Sequence, residues 1–377
     1  MFFYSETIAE ILYSTWEALS SSLSGPSWFA ATSNTVSSNN WFSIASSSMQ
    51  TIRSTITSSN TQINAANNKA STYIGGVLMQ DGRVFCVPAE ASQAIIYNPS
   101  TNLLTSVGSF AGNYAFAHGC LMKDGRVYLA PYGSTTARIY DPSSNTFTTP
   151  SGTFPGAYNH FGATLMPSGK IFISSRVSGV NAKIYDPDAN TLTNANCTVP
   201  GKSVLMKNGK IFITTISSAG AFRAGIYDPI SNTTSLTSGS FSANLGEAVN
   251  LLDGRVYISP ANSTTARIYD PVTDTISTPS GTFPTNAGGA FNGAVTMADG
   301  RVLIIPYNLQ YARIYDPITD SLFTTGAGNS SLAYTGGVLL KNNKVLLVPF
   351  AAATGQIYSG RVTELSDTFV LSSWINS

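Results

Sequence analysis

Residues 292–306 read Asn292-Gly293-Ala294-Val295-Thr296-Met297-Ala298-Asp299-Gly300-Arg301-Val302-Leu303-Ile304-Ile305-Pro306, and residues 312–324 read Ala312-Arg313-Ile314-Tyr315-Asp316-Pro317-Ile318-Thr319-Asp320-Ser321-Leu322-Phe323-Thr324. Two short apolar, β-branched runs flank Asp299-Gly300, the pattern of a tight hairpin whose glycine supplies a positive φ. Pro306 ends the second run, because proline cannot donate to a ladder. A third run ends at Tyr315. There Asp316 can accept the backbone N–H two residues on while Pro317 fixes φ, so the chain reverses into Ser321-Leu322-Phe323-Thr324. The stretch predicts four antiparallel strands.

The unit recurs through the chain. Its tyrosine falls at Tyr97, Tyr140, Tyr185, Tyr227, Tyr269, Tyr315 and Tyr358, at intervals of 42 to 46 residues. Its turn glycine falls at Gly82, Gly125, Gly169, Gly209, Gly254 and Gly300, with Asn343 in the seventh place. Residues Ser134 to Pro142 are repeated unchanged at Ser263 to Pro271. A lone four-stranded sheet cannot bury both of its faces, so the copies are expected to stack radially into a closed ring. The expected fold is mainly β: a seven-bladed β-propeller of four-stranded blades over residues 72–377, preceded by an N-terminal helical segment over residues 1–71. Blade seven lacks its turn, since Ser359-Gly360 follows Tyr358. Its outer strand must come from the Val362 to Trp374 tail or from a segment before Thr72.

Residues 1–71 change pattern. Ile8, Ile11, Leu12, Trp16, Leu19 and Leu23 recur at helical spacing before Gly25-Pro26. Further on, Met49, Ile56 and Ile63 recur every seven residues, with Ile52 at an intervening position. Heptad spacing predicts an oligomerisation seam through Met49, Ile52, Ile56 and Ile63. The alternative is a helix lying against the propeller.

With 43% hydrophobic residues and a mean hydropathy of +0.08, 377 residues suffice for a large core and an appendage. Only 10% of residues are charged, against a typical quarter, so Ser, Thr, Asn and Gly must supply the polar surface. A net charge of +1 without a basic run excludes phosphate-backbone binding as a main role, so no nucleic-acid partner is expected. No run of apolar residues reaches membrane-spanning length. Glu6, Glu10 and Glu17 interrupt the N-terminus, which does not read as a signal peptide. Cys86, Cys120 and Cys197 lie at unrelated points of the repeat and read as reduced thiols, not as a framework or a metal set.

The strand, glycine turn, apolar strand and Tyr-Asp-Pro hairpin resemble the kelch-type propeller, the family that includes the central domain of galactose oxidase. The resemblance covers residues 72 to 365. It implies the propeller fold and little about activity. Where that family carries a Gly-Gly pair near the end of the second strand, this chain has Pro88, Pro131, Pro260, Pro306 and Pro349. The family's copper chemistry needs a Tyr-Cys cross-link and paired histidines that nothing here matches, so no cofactor is expected.

The chain has two histidines, His118 seven residues before Gly125 and His160 nine before Gly169. Both fall near the start of a first strand, where propellers line their channel. Each reads as a structural histidine or, less simply, as a channel ligand. Asp186, Asp188 and Asn190 have the spacing of a calcium loop, but Thr191 and Cys197 stand where glycine and a bidentate acid belong, and a turn explains them better. No nucleophile elbow, phosphate loop or dinucleotide fingerprint is present. Catalytic and metal residues are therefore expected to be none. The inter-blade loops around Asn113, Tyr114, Phe116 and His118, around Tyr158, Asn159 and His160, and around Phe291 and Asn292 have the composition of binding loops, or of ordinary connections.

These features predict a non-enzymatic virion structural or attachment protein, made in a host cytoplasm: a tail fibre, capsid spike or connector component. Residues 1–71 would join it to other virion proteins as an oligomer, and the propeller loops would meet a host glycan or receptor. The alternatives are a cellular carbohydrate- or protein-binding propeller, and a propeller enzyme whose site the sequence does not disclose.

Overall fold

The computed structural model describes residues 57–64, 73–110, 114–215, 223–241, 245–261, 263–284, 289–326, 333–352 and 354–361. The described strands form seven four-stranded antiparallel sheets, and residues 57–361 make one compact unit. The blades, numbered 1 to 7, begin with Tyr73–Leu78, Phe116–Leu121, His160–Leu165, Gly201–Leu205, Leu245–Asn250, Phe291–Thr296 and Tyr334–Leu339. Each of these first strands contacts that of the next blade, and Tyr334–Leu339 contacts Tyr73–Leu78. The ring is therefore closed, with the first strands around its axis.

The repeated tyrosine is the rivet between blades. In blade 2, Tyr140 packs on Phe85 of blade 1 with ring centroids 5.0 Å apart; Tyr185 on Tyr128, Tyr227 on Phe172, Tyr269 on Phe212 and Tyr315 on Tyr257 repeat the contact at 4.8–5.2 Å. In blades 1 to 6 the phenol also donates to the residue five places on, as Tyr140 does to Asn145 Oδ1 at 2.9 Å and Tyr315 to Asp320 Oδ1 at 2.9 Å. Those partners sit at positive φ, between 48° and 57°, which Asn and Asp tolerate best among side-chain-bearing residues. Several of them also reach the preceding blade: Asn190 Oδ1 accepts from Ser151 N at 3.0 Å, and Asp320 from Ser280 N at 3.0 Å. The Asp of Tyr-Asp-Pro caps its own turn, Asp141 Oδ1 accepting from Ser143 N at 2.8 Å. Asp186 and Asn190 serve these turn roles as well. At the other hairpin Gly82, Gly125, Gly169, Gly209, Gly254 and Gly300 all have φ of 81–97°, and Asn343 adopts 60° in the seventh place.

Blade 7 is closed from the N-terminal side. Thr57–Asn64 pairs antiparallel with Thr354–Arg361, from Thr57 opposite Arg361 to Asn64 opposite Thr354. Of the two sources left open by the missing turn at Ser359-Gly360, the segment before Thr72 is the one used. This corrects the heptad assignment at Ile63, which lies in the strand opposite Gly355. The physical reason is that Thr, Ser and Asn flanks give poor helix propensity, while an unpaired edge at Thr354–Arg361 offers that segment a ladder. Met49, Ile52 and Ile56, with the helix expected over residues 8–23, lie outside the described residues.

Candidate binding site at the mouth of the channel

In six blades the first strand carries a register shift near its start, the exception being blade 4. In those six, the residue nine before the turn glycine pairs with the end of the second strand, as Phe116 does with Pro131 and His160 with Ser175. This position faces the core: Tyr73, Phe116, His160, Phe291 and Tyr334 are all buried there. The residue seven before the turn pairs with the next residue of the second strand in blades 2, 3 and 7, as His118 does with Ala130, and falls within the bulge in blades 1, 5 and 6; in blade 4 Lys202 pairs with Thr214. An inserted residue re-aims side chains, here those at the eighth and seventh places.

Counted seven back from each turn, the blades present Gly75, His118, Gly162, Lys202, Glu247, Gly293 and Gly336. One level of the ring thus holds four glycines and three ionisable groups. The glycines permit close approach: a Cβ at Gly336 would lie 3.0 Å from Gly75 Cα, and one at Gly293 2.9 Å from Glu247 Oε2. Lys202 Nζ donates to Asn292 Oδ1 at 3.0 Å, lies 4.0 Å from Glu247 Oε2 and stands 5.8 Å from the centroid of Phe161. These four residues come from blades 3 to 6, which only an axial position allows. The side chains of Lys202 and Glu247 are 22% and 25% exposed, so the cluster is open to water. His118 joins it from blade 2. Burial holds its pKa down, the Glu247 carboxylate opposes that shift and the Lys202 ammonium adds to it. Its Nδ1 is buried without a hydrogen-bond partner.

Aromatic side chains continue the cluster outward on the loop face. Tyr132 stands at the centre, its ring centroid 6.2 Å from Phe161, 5.0 Å from Tyr158 and 6.3 Å from Tyr114, with the Arg176 guanidinium 5.6 Å over it. Tyr114 and Tyr158 are equivalent, eleven residues before their turn glycines, and both adopt positive φ, 54° and 64°. Blade 6 uses Gly289 there, at φ 97°. A bulky residue in this region costs on the order of 1–3 kcal/mol and persists only where its surroundings hold it. Here the backbone does so, Gly133 N donating to Tyr114 O at 2.6 Å and Tyr158 N to Tyr132 O. Burial first, and the Tyr114 hydroxyl second, push the Tyr307 phenol of blade 6 upward.

The candidate residues named from sequence therefore separate. Tyr114, Tyr158, His118 and Asn292 belong to this mouth. Phe116 and Phe291 are core residues packed edge-to-face on Phe110 and Phe283 at 5.3 and 5.5 Å. His160 occupies the same place in blade 3, with Phe154 at 4.8 Å; burial lowers its pKa to about 4. These three are buried in the packing and stand apart from the mouth. Asn159 closes its own loop, its carbonyl accepting from Arg176 N at 2.8 Å. Asn113 lies outside the described residues. Lys202, Glu247, Phe161 and Tyr132 went unselected, although counting seven or eight residues back from every turn glycine brings out the first three. Among the described residues no group of three His, Cys, Asp or Glu could hold a metal. All three cysteines are free, and burial pushes Cys86 and Cys120 up to about 12. No described helix is long and apolar enough to cross a membrane.

No protein-family model and no curated protein matches the chain. Solved structures do. A streptogramin B lyase superposes with a TM-score of 0.67 at 12% identity, over 81% of this chain and 98% of that one. A WD40 β-propeller domain gives 0.60 at 13%, over 80% and 97%. A fungal alcohol oxidase of the AA5 family in complex with copper gives 0.58 at 16%, over 80% and 76%. Such identities show the fold, a seven-bladed β-propeller, and the roles of these neighbours differ too widely to transfer.

Proposed function

We propose that the chain is a kelch-like, non-enzymatic virion structural or attachment protein, of the tail-fibre, capsid-spike or connector kind, whose propeller is a rigid head that binds protein or glycan through its loop face. The observation carrying the binding role is the mouth itself, where Tyr114 and Tyr158 are held at positive φ beside Tyr132. Strained, partly exposed aromatics on a rigid scaffold are a general signature of recognition surfaces. Low charge and a surface built from Ser, Thr and Asn support the virion assignment. Residues 1–56 are the segment left to join other virion proteins. Mass spectrometry of purified particles and of the surrounding cytosol tests the assignment. Recovery from the cytosol alone, and never from particles, removes it. A catalytic propeller is the second reading, favoured by His118, Lys202 and Glu247 sharing one level of the channel; turnover lost on replacing Glu247 would support it.

A further inference from the structure

Resting on the binding role proposed above, we infer that the mouth of the channel is a saccharide site. In it Lys202, Glu247, Asn292 and His118 hydrogen-bond ring hydroxyls, and Phe161 and Tyr158 pack on the apolar face of the sugar. Three observations select this chemistry. The polar groups supply both donors and acceptors: ammonium, carboxylate, carboxamide and imidazole. Hydroxyls, which donate and accept at once, match such a mixed set better than a pure anion or cation does. The lysine and the glutamate lie 4.0 Å apart and cancel, so the site offers no net charge to a phosphate or a metal ion. Finally, an unbroken run of contacts joins the 38%-exposed Tyr158 through Tyr132 and Phe161 to Lys202, placing ring faces beside the polar cluster. Sites of this kind combine apolar walls with a few convergent polar groups. The four glycines of the ring deepen the site, because any side chain at Gly293 would meet Glu247 Oε2 at 2.9 Å.

The test is binding of the full chain to a printed panel of neutral, N-acetylated and sialylated oligosaccharides, followed by calorimetry with the best one. Neutral or N-acetylated sugars should bind, with sialylated forms no better. Glu247→Gln, which keeps the shape of the side chain, and Asn292→Ala should each weaken binding at least tenfold without changing the melting temperature. Lys202→Met should do the same. His160→Phe, outside the site, should leave binding unchanged. Sugar binding that survives Glu247→Gln and Asn292→Ala overturns this site while leaving the glycan-binding head intact. Failure of every sugar, with attachment to cells abolished by protease treatment of their surface, overturns the saccharide and keeps a protein receptor. Failure to bind sugars, cells or particles removes the binding head as well.

Discussion

His118 and His160 stand in adjacent blades, at the start of first strands with the same topology, and two residues of register separate them into different kinds of group. His160 takes the position that Phe116 fills in blade 2 and Phe291 in blade 6, packing edge-to-face on Phe154. His118 takes the position that Lys202 and Glu247 fill in blades 4 and 5, and it feels the charge of both. The bulge between the two positions turns one side chain toward the neighbouring blade and the other toward the axis. In a propeller, therefore, distance from the turn glycine assigns a residue's environment more reliably than its residue type does.

The largest effect that would sharpen this contrast is on stability. His160→Ala should cost about 2–4 kcal/mol, because the side chain fills a sealed aromatic place between blades. His118→Ala should cost about 1 kcal/mol or less, since its place is lined by glycine in four blades. Chemical denaturation of both variants at neutral pH checks the pair. Equal losses would break the comparison.

Acid should separate them next. The folded-state pKa of His160 is lowered from 6.5 to about 4, so below pH 6.5 the unfolded chain binds a proton that the folded chain refuses. Stability contributed by keeping His160 neutral is complete above pH 6.5 and falls as the pH drops toward 4, by about 3 kcal/mol across that window. His160→Phe, which copies the residue found at this place in blades 2 and 6, should flatten this part of the stability profile and match the parent chain at pH 7. A variant that remains as acid-sensitive as the parent would assign the effect elsewhere.

A smaller effect is expected at the axis. Gly336→Ala should destabilise by about 1–3 kcal/mol, because its Cβ would lie 3.0 Å from the backbone of Gly75 and the backbone cannot swing aside. Gly75→Ala meets no atom within 4 Å, and its φ of 67° should cost only about 1 kcal/mol. Thermal unfolding of the two variants orders them. The reverse order would mean that the ring at this level is looser than the packing of blades 1, 6 and 7 implies.

The smallest effect concerns the closing strand's neighbours in sequence. Removing residues 1–56 should change the melting temperature by less than about 1 °C, equivalent to a fraction of a kcal/mol. Removing residues 1–64 should open blade 7, since Thr57–Asn64 supplies its outer strand. If both truncations behave alike, the ring closes without that strand.

The sequence by itself determined the repeat and its chemistry. Tyr-Asp-Pro with its close variants, the turn glycines and the period of 42 to 46 residues dictate seven first hairpins and six second ones, because turn geometry is local and needs only the residues that make it. The missing Asp-Pro after Tyr358 also announced that blade 7 borrows a strand. Tertiary structure decided which strand that is, because pairing across some three hundred residues depends on which edge is left open and not on either segment alone. It also decided the site. Lys202 and Asn292 are separated by 90 residues, and only closure of the ring brings them to 3.0 Å. The sequence offered Tyr114 and Tyr158 as residues of binding loops or of ordinary connections, and only the folded backbone shows them at positive φ beside Tyr132. A repeat encodes its blades one at a time, whereas the channel belongs to all seven at once.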